Sequence, residues 1–476
     1  MLQHETLASW MTDIDDKRKA WQVPGCAMAA IQGTDVIFCE GFGHLQKEAV
    51  NRVSPKTLFP IASTTKPFTA LGLAMLAEDG LLDFDTPIQT YWPGFRLYDA
   101  VATNRTTVRD LLCHRTGLPR HDLVWYHTPL SRAELMERLR YLEPVRDFRA
   151  AYHYQNLMFT AAGCVIEQVS GRTWEQFTKE RILKPLGMES TYFTLADAKK
   201  VGALAWPYMS QGKQVVEVPY LNNEAIGPAG SMISTIEDMT KWLLYQLNPE
   251  AITHAHLLSE RRHDELRTSQ LFSGSQPAWY PEIPITNAAL GWFVQIYRGE
   301  RVIYHAGNLQ GFSSLVSILP ERQCAIVVLS QVDNSRLPAV LTYEAVDRLL
   351  GIDQIDWHAR MTEEAEKEES AKLSKSSRAE CKQGWVLQSS CMGTYRHPGY
   401  GEVSIYAADD NYYMSFHDLR FLLSPIEANR FLASYEETYQ LAIPITFLTD
   451  HTGTAISLSA KMEPAIGAKE IIFTRV

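Results

Sequence analysis

Phe59-Pro60-Ile61-Ala62-Ser63-Thr64-Thr65-Lys66-Pro67-Phe68-Thr69-Ala70 is the stretch on which the reading of this 476-residue chain turns. An apolar run at helical spacing continues from Phe68 to Ala77 and stops near Gly80, which predicts a helix. With that helix beginning at Ser63, Lys66 lies one turn on and faces the same side. A serine hydroxyl is a poor nucleophile and needs a base beside it. A lysine serves when burial or another positive charge lowers its pKa; otherwise it stays protonated and eases the ionisation of a neighbouring tyrosine. The backbone N–H of Ser63, an unpaired donor of a first helical turn, can face a developing oxyanion. Pro67 fits this placement, because a proline near a helix start forfeits at most one interior hydrogen bond. Taken alone, the same spacing also describes an N-cap serine followed by a solvated lysine.

Two further elements bear on that choice. Ala151-Tyr152-His153-Tyr154-Gln155-Asn156 places Tyr154 two residues before Asn156. A phenol beside Lys66 can shuttle a proton between Ser63 and a leaving group. Asn156 carries a donor and an acceptor, which suits orienting the lysine and a substrate amide or ester. The alternative is a buried tyrosine with a satisfied hydroxyl. His305-Ala306-Gly307-Asn308 closes a predicted strand. Gly307 lets a substrate approach the backbone, the N–H of Asn308 supplies a second oxyanion donor, and His305 binds or polarises. A strand-end histidine with a satisfied ring is the alternative.

Around these elements the chain predicts a first helix over about 3–20, then strands Cys26–Gln32 and Asp35–Phe42. The middle is mainly helical. Thr107 with Asp110, Thr173 with Gln176 and Thr235 with Asp238 have capping-box spacing. Gly117 and Gly171 suit helix C-termini. The polar stretch 249–289, with Trp279 and Tyr280, reads as a long excursion overhanging the site. Strands Leu290–Tyr297, Arg301–His305, Phe312–Leu319 and Cys324–Gln331 follow, and a helix from Leu337 to Leu350 closes the domain. Residues 360–384 are charged and read as a solvated helix or linker. From Cys391 to Val476, short alternating segments such as Glu402–Ala407, Asn411–Phe416, Arg430–Tyr435 and Lys469–Thr474 predict a small antiparallel barrel.

Composition sets outer bounds. Hydrophobic residues are 46% and charged residues 21%, ordinary globular usage, and the length exceeds one core. The expected division is a first domain over 1–355, a charged linker over 356–388 and a β-barrel over 389–476. A net charge of −10 argues against nucleic acid, whose binding needs Lys and Arg to neutralise phosphates. The N-terminus lacks a basic start followed by an apolar run, and no stretch reaches the roughly 20 apolar residues of a membrane span. A cytoplasmic protein without membrane partners is expected. Seven scattered cysteines with no CxxC pair read as reduced thiols. His254, His256 and His263 lack a carboxylate or cysteine at ligand spacing, so no metal and no cofactor is expected. His121, Trp125, Tyr126 and His127 follow the Gly117 turn and fit either a pocket rim or a surface loop.

In order, Ser63-x-x-Lys66, Tyr154-x-Asn156 and His305-x-Gly307 resemble the three motifs of the serine β-lactamase-like and penicillin-binding-protein-like hydrolases. That group takes in class C β-lactamases, DD-peptidases, D-aminopeptidases and esterases. The surroundings are similar too: Pro24-Gly25, Asp110 through Leu118, Pro185-Leu186-Gly187-Met188, Gly227-Pro228-Ala229-Gly230-Ser231-Met232, and Gly291-Trp292 through Ser314. The resemblance covers about residues 20–350. It implies an α+β fold, an antiparallel sheet flanked by helices with an all-helical subdomain inserted. It also implies acyl-enzyme chemistry on Ser63 toward a small-molecule amide or ester. The tail resembles the lipocalin-like barrel of some relatives, including D-aminopeptidase-type peptidases, through Gly393-Thr394-Tyr395 and Pro398-Gly399-Tyr400-Gly401. Its expected role is to close over the active site or to mediate homo-oligomers. His305 departs from the usual lysine and moves the expectation from a β-lactamase toward a peptidase, amidase or esterase. Acyl transfer on the same scaffold, and a non-catalytic binding protein that keeps the fold, are the other readings.

Overall fold

Gly25–Gln32 and Cys324–Gln331 are almost uninterrupted runs of small and branched apolar residues, and both are buried along nearly their whole length. Strands buried on both faces belong in the middle of a sheet. In the computed structural model they pair antiparallel, from Cys26 opposite Ser330 to Gln32 opposite Cys324, so the two ends of the domain share one sheet. The structure describes residues 4–212, 214–249, 257–274, 280–376, 387–435 and 441–476.

The chain forms two compact units. The first comprises Met1–Trp92, Thr107–His114 and Met158–Lys367; the second comprises Pro93–Thr106, Arg115–Leu157 and Glu368–Val476. The first holds an eight-stranded sheet of β1 (Gly25–Gln32), β2 (Asp35–Gly43), β3 (Leu271–Phe272), β4 (Thr286–Ala288), β5 (Phe293–Tyr297), β6 (Glu300–Leu309), β7 (Phe312–Leu319) and β8 (Cys324–Gln331). Its spatial order is β2-β1-β8-β7-β6-β5-β4-β3, and every neighbouring pair is antiparallel.

Helices His4–Ala20 and Leu337–Leu350 contribute Trp10, Ile14, Val340 and Leu341 to a core shared with Met28 and Ile326. Helix Ile236–Leu247 packs against β1 and β8, and its Trp242 stacks on Phe68 at 3.9 Å between ring centroids. The helix Trp357–Ser376 is anchored at its start: Trp357 is fully buried and its Nε1 donates to Tyr297 Oη at 3.0 Å. Residues 377–386, including Cys381, lie outside the described residues.

Capping follows the sequence closely. Thr107 with Asp110 and Thr173 with Gln176 form full capping boxes. At Thr235 only one arm forms, because the Asp238 carboxylate instead accepts from the Ser190 N–H and the Thr191 hydroxyl. Gly171 ends its helix at φ +69°, whereas Gly117 lies five residues beyond the helix Val108–Leu112. A Cβ at Gly117 would come 2.2 Å from the Arg146 carbonyl, so the glycine serves a close approach of backbone and not a cap.

The excursion over 249–289 carries more regular structure than its composition implies. Helix Glu260–Arg267 buries only His263, Leu266 and Arg267, too few for an apolar stripe, and β3 and β4 have two and three residues. His254, His256 and Trp279 lie outside the described residues.

The second unit contains a closed barrel: β9 (Gly393–His397), β10 (Gly401–Ala408), β11 (Asn411–Phe416), β12 (Leu419–Glu427), β13 (Arg430–Tyr435), β14 (Leu441–Thr449), β15 (Ala455–Ala460) and β16 (Ile471–Arg475). Consecutive strands pair, and Tyr395 opposite Arg475 closes the ring. Tyr395, Val403, Met414, Phe421, Ile445 and Phe473 are buried, the alternation a filled barrel requires. The other segments of this unit include the short helices Ala100–Arg105 and Arg132–Arg138 and the loop that follows Gly117.

Candidate active site

Ser63 is not the first residue of an α-helix. Ala62–Thr65 form a 3₁₀ turn and the α-helix begins at Lys66, running to Glu78 with Pro67 in its first turn. Ala62 has φ +50°, a left-handed conformation that an alanine adopts only when its surroundings impose it. Those surroundings are specific. Leu58–Pro60 pairs with Ile233–Thr235, and Ile61 N–H donates to the Met232 carbonyl at 2.9 Å. Ser314 Oγ donates to the Ile61 carbonyl at 2.8 Å, and Thr64 Oγ1 donates to the same oxygen at 2.7 Å.

Within this turn Lys66 Nζ donates to Ser63 Oγ at 3.0 Å and to the Ala229 carbonyl at 2.7 Å. Lys66 is fully buried. The Phe159 ring centroid lies 5.4 Å from Nζ, close enough for a cation–π attraction. The segment carrying Ala229 is itself fastened: Thr69 Oγ1 donates to the Pro228 carbonyl at 2.7 Å, and Asn223 Nδ2 donates to the Gly230 carbonyl at 2.8 Å.

The His305 element is longer than expected. The strand predicted to end at His305 continues to Leu309 as β6, so Gly307 and Asn308 are strand residues. Pairing with β5 covers only Glu300 to Tyr304, and beyond it the described residues of β6 pair with β7 alone. Leu309 opposite Phe312 flanks the two-residue turn, the position that a tight hairpin makes a hydrogen-bonded pair. The alternation then turns the N–H of Asn308 away from β7, toward the open edge of the sheet. The face of the sheet at Gly307 meets the serine turn: a Cβ there would fall 2.5 Å from the Ile61 carbonyl and 3.1 Å from Ala62 Cβ. Only glycine allows the contact. Asn308 is exposed, and its Oδ1 accepts from Ser313 Oγ at 2.9 Å.

His305 faces inward and is 2% exposed, with Phe293 at 5.3 Å between ring centroids. Its Nδ1 lies 2.7 Å from the Ala306 carbonyl. A carbonyl only accepts, so Nδ1 carries the proton. Burial first, and then the charge of Lys66, push His305 down to about 3. The ring is therefore neutral near pH 7.

Tyr154 and Asn156 belong to the second unit. The Arg120 guanidinium lies 5.0 Å from the Tyr154 ring centroid. Asn156 begins the helix Asn156–Ser170, and its Nδ2 donates to Asp122 Oδ1 at 3.2 Å. His121 is buried, while Trp125, Tyr126 and His127 are half-buried.

Ser63, Lys66, His305, Gly307 and Asn308 thus gather in the first unit, and Tyr154 and Asn156 lie side by side in the second. Sequence reading assigned no part to the Ala229 carbonyl, Phe159 or Ser314. The signal for the first was visible: a Gly-Pro-Ala-Gly run permits close passage of backbone beside a buried amine.

A serine hydroxyl beside a buried amine, next to a sheet strand with a bare glycine, is the local arrangement, and the comparisons give the family of the chain. The beta-lactamase family model matches residues 12–351, and the chain belongs to that family. Residues 389–475 match a domain of unknown function (DUF3471). Among curated relatives, the unguisins hydrolase ungD' of Aspergillus campestris is 28% identical, covering 95% of this chain and 88% of its own. The protein flp of Staphylococcus aureus is 26% identical over 70% of this chain and 64% of its own. Among solved structures, the octameric penicillin-binding protein homologue from Pyrococcus abyssi has a TM-score of 0.65 at 20% identity, covering 98% of this chain and 99% of its own. The D-amino acid amidase from Ochrobactrum anthropi has a TM-score of 0.59 at 24% identity, covering 72% and 97%. These two likenesses concern the fold. No described helix is long and apolar enough to cross a membrane.

Proposed function

We propose that the chain is a metal-independent serine hydrolase that opens an amide or ester through an acyl-Ser63 intermediate. The observation that carries this reading is the 3.0 Å contact between Lys66 Nζ and Ser63 Oγ inside a strained, buried turn. Ser63 Oγ attacks the carbonyl carbon. Its proton passes through Lys66 and Tyr154 to the departing nitrogen or oxygen as the C–N or C–O bond breaks. Water then adds to the acyl-Ser63, one of its protons passes to Ser63 Oγ as the acyl C–Oγ bond breaks, and a carboxylic acid leaves. The N–H groups of Ser63 and Asn308 hold the oxyanion, and Gly307 keeps that approach open.

The role of Tyr154 and Asn156 rests on their motif. A neutral His305 offers no cation to a substrate carboxylate, which favours neutral amides and esters over β-lactams. The amidase and hydrolase names among the relatives support the amide, and the octameric homologue supports homo-oligomers.

Ser63→Ala is expected to abolish turnover of a chromogenic short-chain ester, by about 10³-fold or more, and to prevent labelling by a fluorophosphonate probe, with circular dichroism unchanged. Wild-type turnover in this variant would sink the assignment.

A further inference from the structure

The second unit contains a buried polar cluster that the proposed chemistry does not use. His121, Tyr400 and Glu463 are 2%, 0% and 1% exposed. The Glu463 carboxylate accepts from the backbone N–H of His121 through one oxygen, and from the Ala465 N–H at 2.9 Å through the other. His121 Nε2 lies 3.1 Å from the Glu143 carbonyl and Nδ1 lies 2.7 Å from Tyr400 Oη. The carbonyl only accepts, so Nε2 carries the proton, and the Tyr400 hydroxyl donates to Nδ1. Every donor in this group has an acceptor, and the group holds His121 at φ +46°, a backbone state that histidine adopts at a cost.

The loop so held is the one that meets Tyr154 and Asn156. Asp122, the next residue, accepts from Asn156 Nδ2 at 3.2 Å and from Trp125 Nε1 at 2.8 Å through the same oxygen. Its other oxygen accepts from Arg120 Nε, and the Arg120 guanidinium lies over the Tyr154 ring. Gln155 Nε2 donates to the Pro119 carbonyl, and Gln155 Oε1 accepts from Leu157 N–H at 2.9 Å. The barrel touches the loop a second time at the turn between β11 and β12. There His417 Nδ1 donates to the Tyr126 carbonyl at 2.9 Å, and His127 Nδ1 pairs with Asp418 at 2.8 Å. The two contacts differ in kind: Glu463 is buried, whereas the Asp418 side chain is 67% exposed.

We infer that Glu463 and Tyr400 are positioning residues, through which the barrel fixes the loop 119–127 and, by Asp122 and Arg120, sets the Asn156 amide and the Tyr154 phenol for proton transfer. The inference rests on the proposed role of Tyr154 and Asn156. Removing a buried acceptor from the His121 N–H frees the strained residue to relax. Asp122 then moves with its neighbour, and a shift near 1 Å at a proton-transfer group costs rate more than binding.

The test uses the full chain, a chromogenic ester, and fluorophosphonate titration to count competent Ser63 sites. Glu463→Gln keeps the shape but turns one acceptor into a donor facing an N–H. We expect kcat per titrated site to fall about 10-fold or more with KM changed less than about threefold, and Tyr400→Phe to fall less. The loss in Glu463→Gln combined with Asp122→Asn should stay well below the product of the single losses, because both act through one chain of contacts. Ile443→Ala opens a cavity in the barrel core, at a buried residue of β14 that pairs with Ala433 of β13; it should lower stability while keeping kcat per site. Tyr154→Phe runs beside them. Wild-type turnover in Tyr154→Phe overturns the catalytic reading and this inference together. A slow Tyr154→Phe with a wild-type Glu463→Gln, or an equal loss in Ile443→Ala, overturns this inference alone.

Discussion

The Ser63 turn in the first unit and the loop 119–127 in the second both hold strained backbone, but only the turn is also packed against a glycine that leaves no room for a side chain. Each contains a non-glycine residue in the left-handed region, Ala62 at φ +50° and His121 at φ +46°. The turn lies near a buried histidine kept neutral, His305, pushed down to about 3, and the loop contains one, His121, pushed down to about 4, in both cases chiefly by burial. The turn is held by hydrogen bonds at the Ile61 N–H and carbonyl and is also packed without spare volume against the bare Cα of Gly307. The loop is confined by hydrogen bonds to groups on the barrel. A steric device has no spare volume, so it should fail abruptly; a polar one should fail in steps as acceptors are removed.

The sharpest way to break this contrast is Gly307→Ala. The added methyl would lie 2.4 Å from Ser314 Oγ and 2.5 Å from the Ile61 carbonyl, and the second of these is backbone that cannot swing aside. Overpacking of this kind costs about 1–3 kcal/mol, and displacing Ser63 should lower kcat on the order of 100-fold. Urea unfolding and ester hydrolysis measure the two effects. A variant with wild-type kcat would show that the turn is not held by Gly307.

These two confinements also separate what could be read in the sequence from what could not. The turn was legible because its parts obey short-range rules. Ser63 and Lys66 are one turn apart, Gly307 follows His305 by two, and the strands that carry them are apolar enough to be central. Even there the 3₁₀ start at Ala62 and the run of β6 past His305 escaped notice, because both depend on one another across 240 residues of chain and neither leaves a local pattern. The barrel was legible as alternation, although β12, β14 and β15 were not singled out. Glu463 was not legible as anything but a charged residue in a Pro- and Gly-rich connection. Its partner in space, His121, lies 342 positions earlier, and one long-range hydrogen bond has no periodicity to reveal it.

The neutral histidines give a second, smaller test. Unfolded, each ring takes a proton near its ordinary value of 6.5; folded, His305 does so only near 3 and His121 only near 4. Between those limits the unfolded chain binds more protons, so stability is full above about 6.5 and declines as pH falls toward the folded values. Each such group contributes a slope of about 1.4 kcal/mol per pH unit at most. His305→Asn and His121→Asn should each flatten the dependence of unfolding free energy on pH between 6 and 5 by about 1 kcal/mol per unit. Denaturant titrations at the two pH values measure it. If only one variant flattens the profile, the two sites do not share the same kind of burial.

The smallest effect is expected where the loop meets the turn between β11 and β12. The His127–Asp418 contact at 2.8 Å looks, by distance alone, as good as any in the cluster around His121. Its setting differs, because Asp418 is 67% exposed while the carboxylate of Glu463 is 1% exposed. An exposed polar contact of this kind contributes about 0–1 kcal/mol, since water replaces most of what is lost. Asp418→Asn should therefore change the unfolding free energy by less than about 0.5 kcal/mol and kcat per titrated site by less than about twofold. A large loss in Asp418→Asn would move the hold on the loop from its buried end to its exposed one. The contrast between a sterically confined turn and a loop confined by buried polar contacts would then have to be redrawn around the β11–β12 turn.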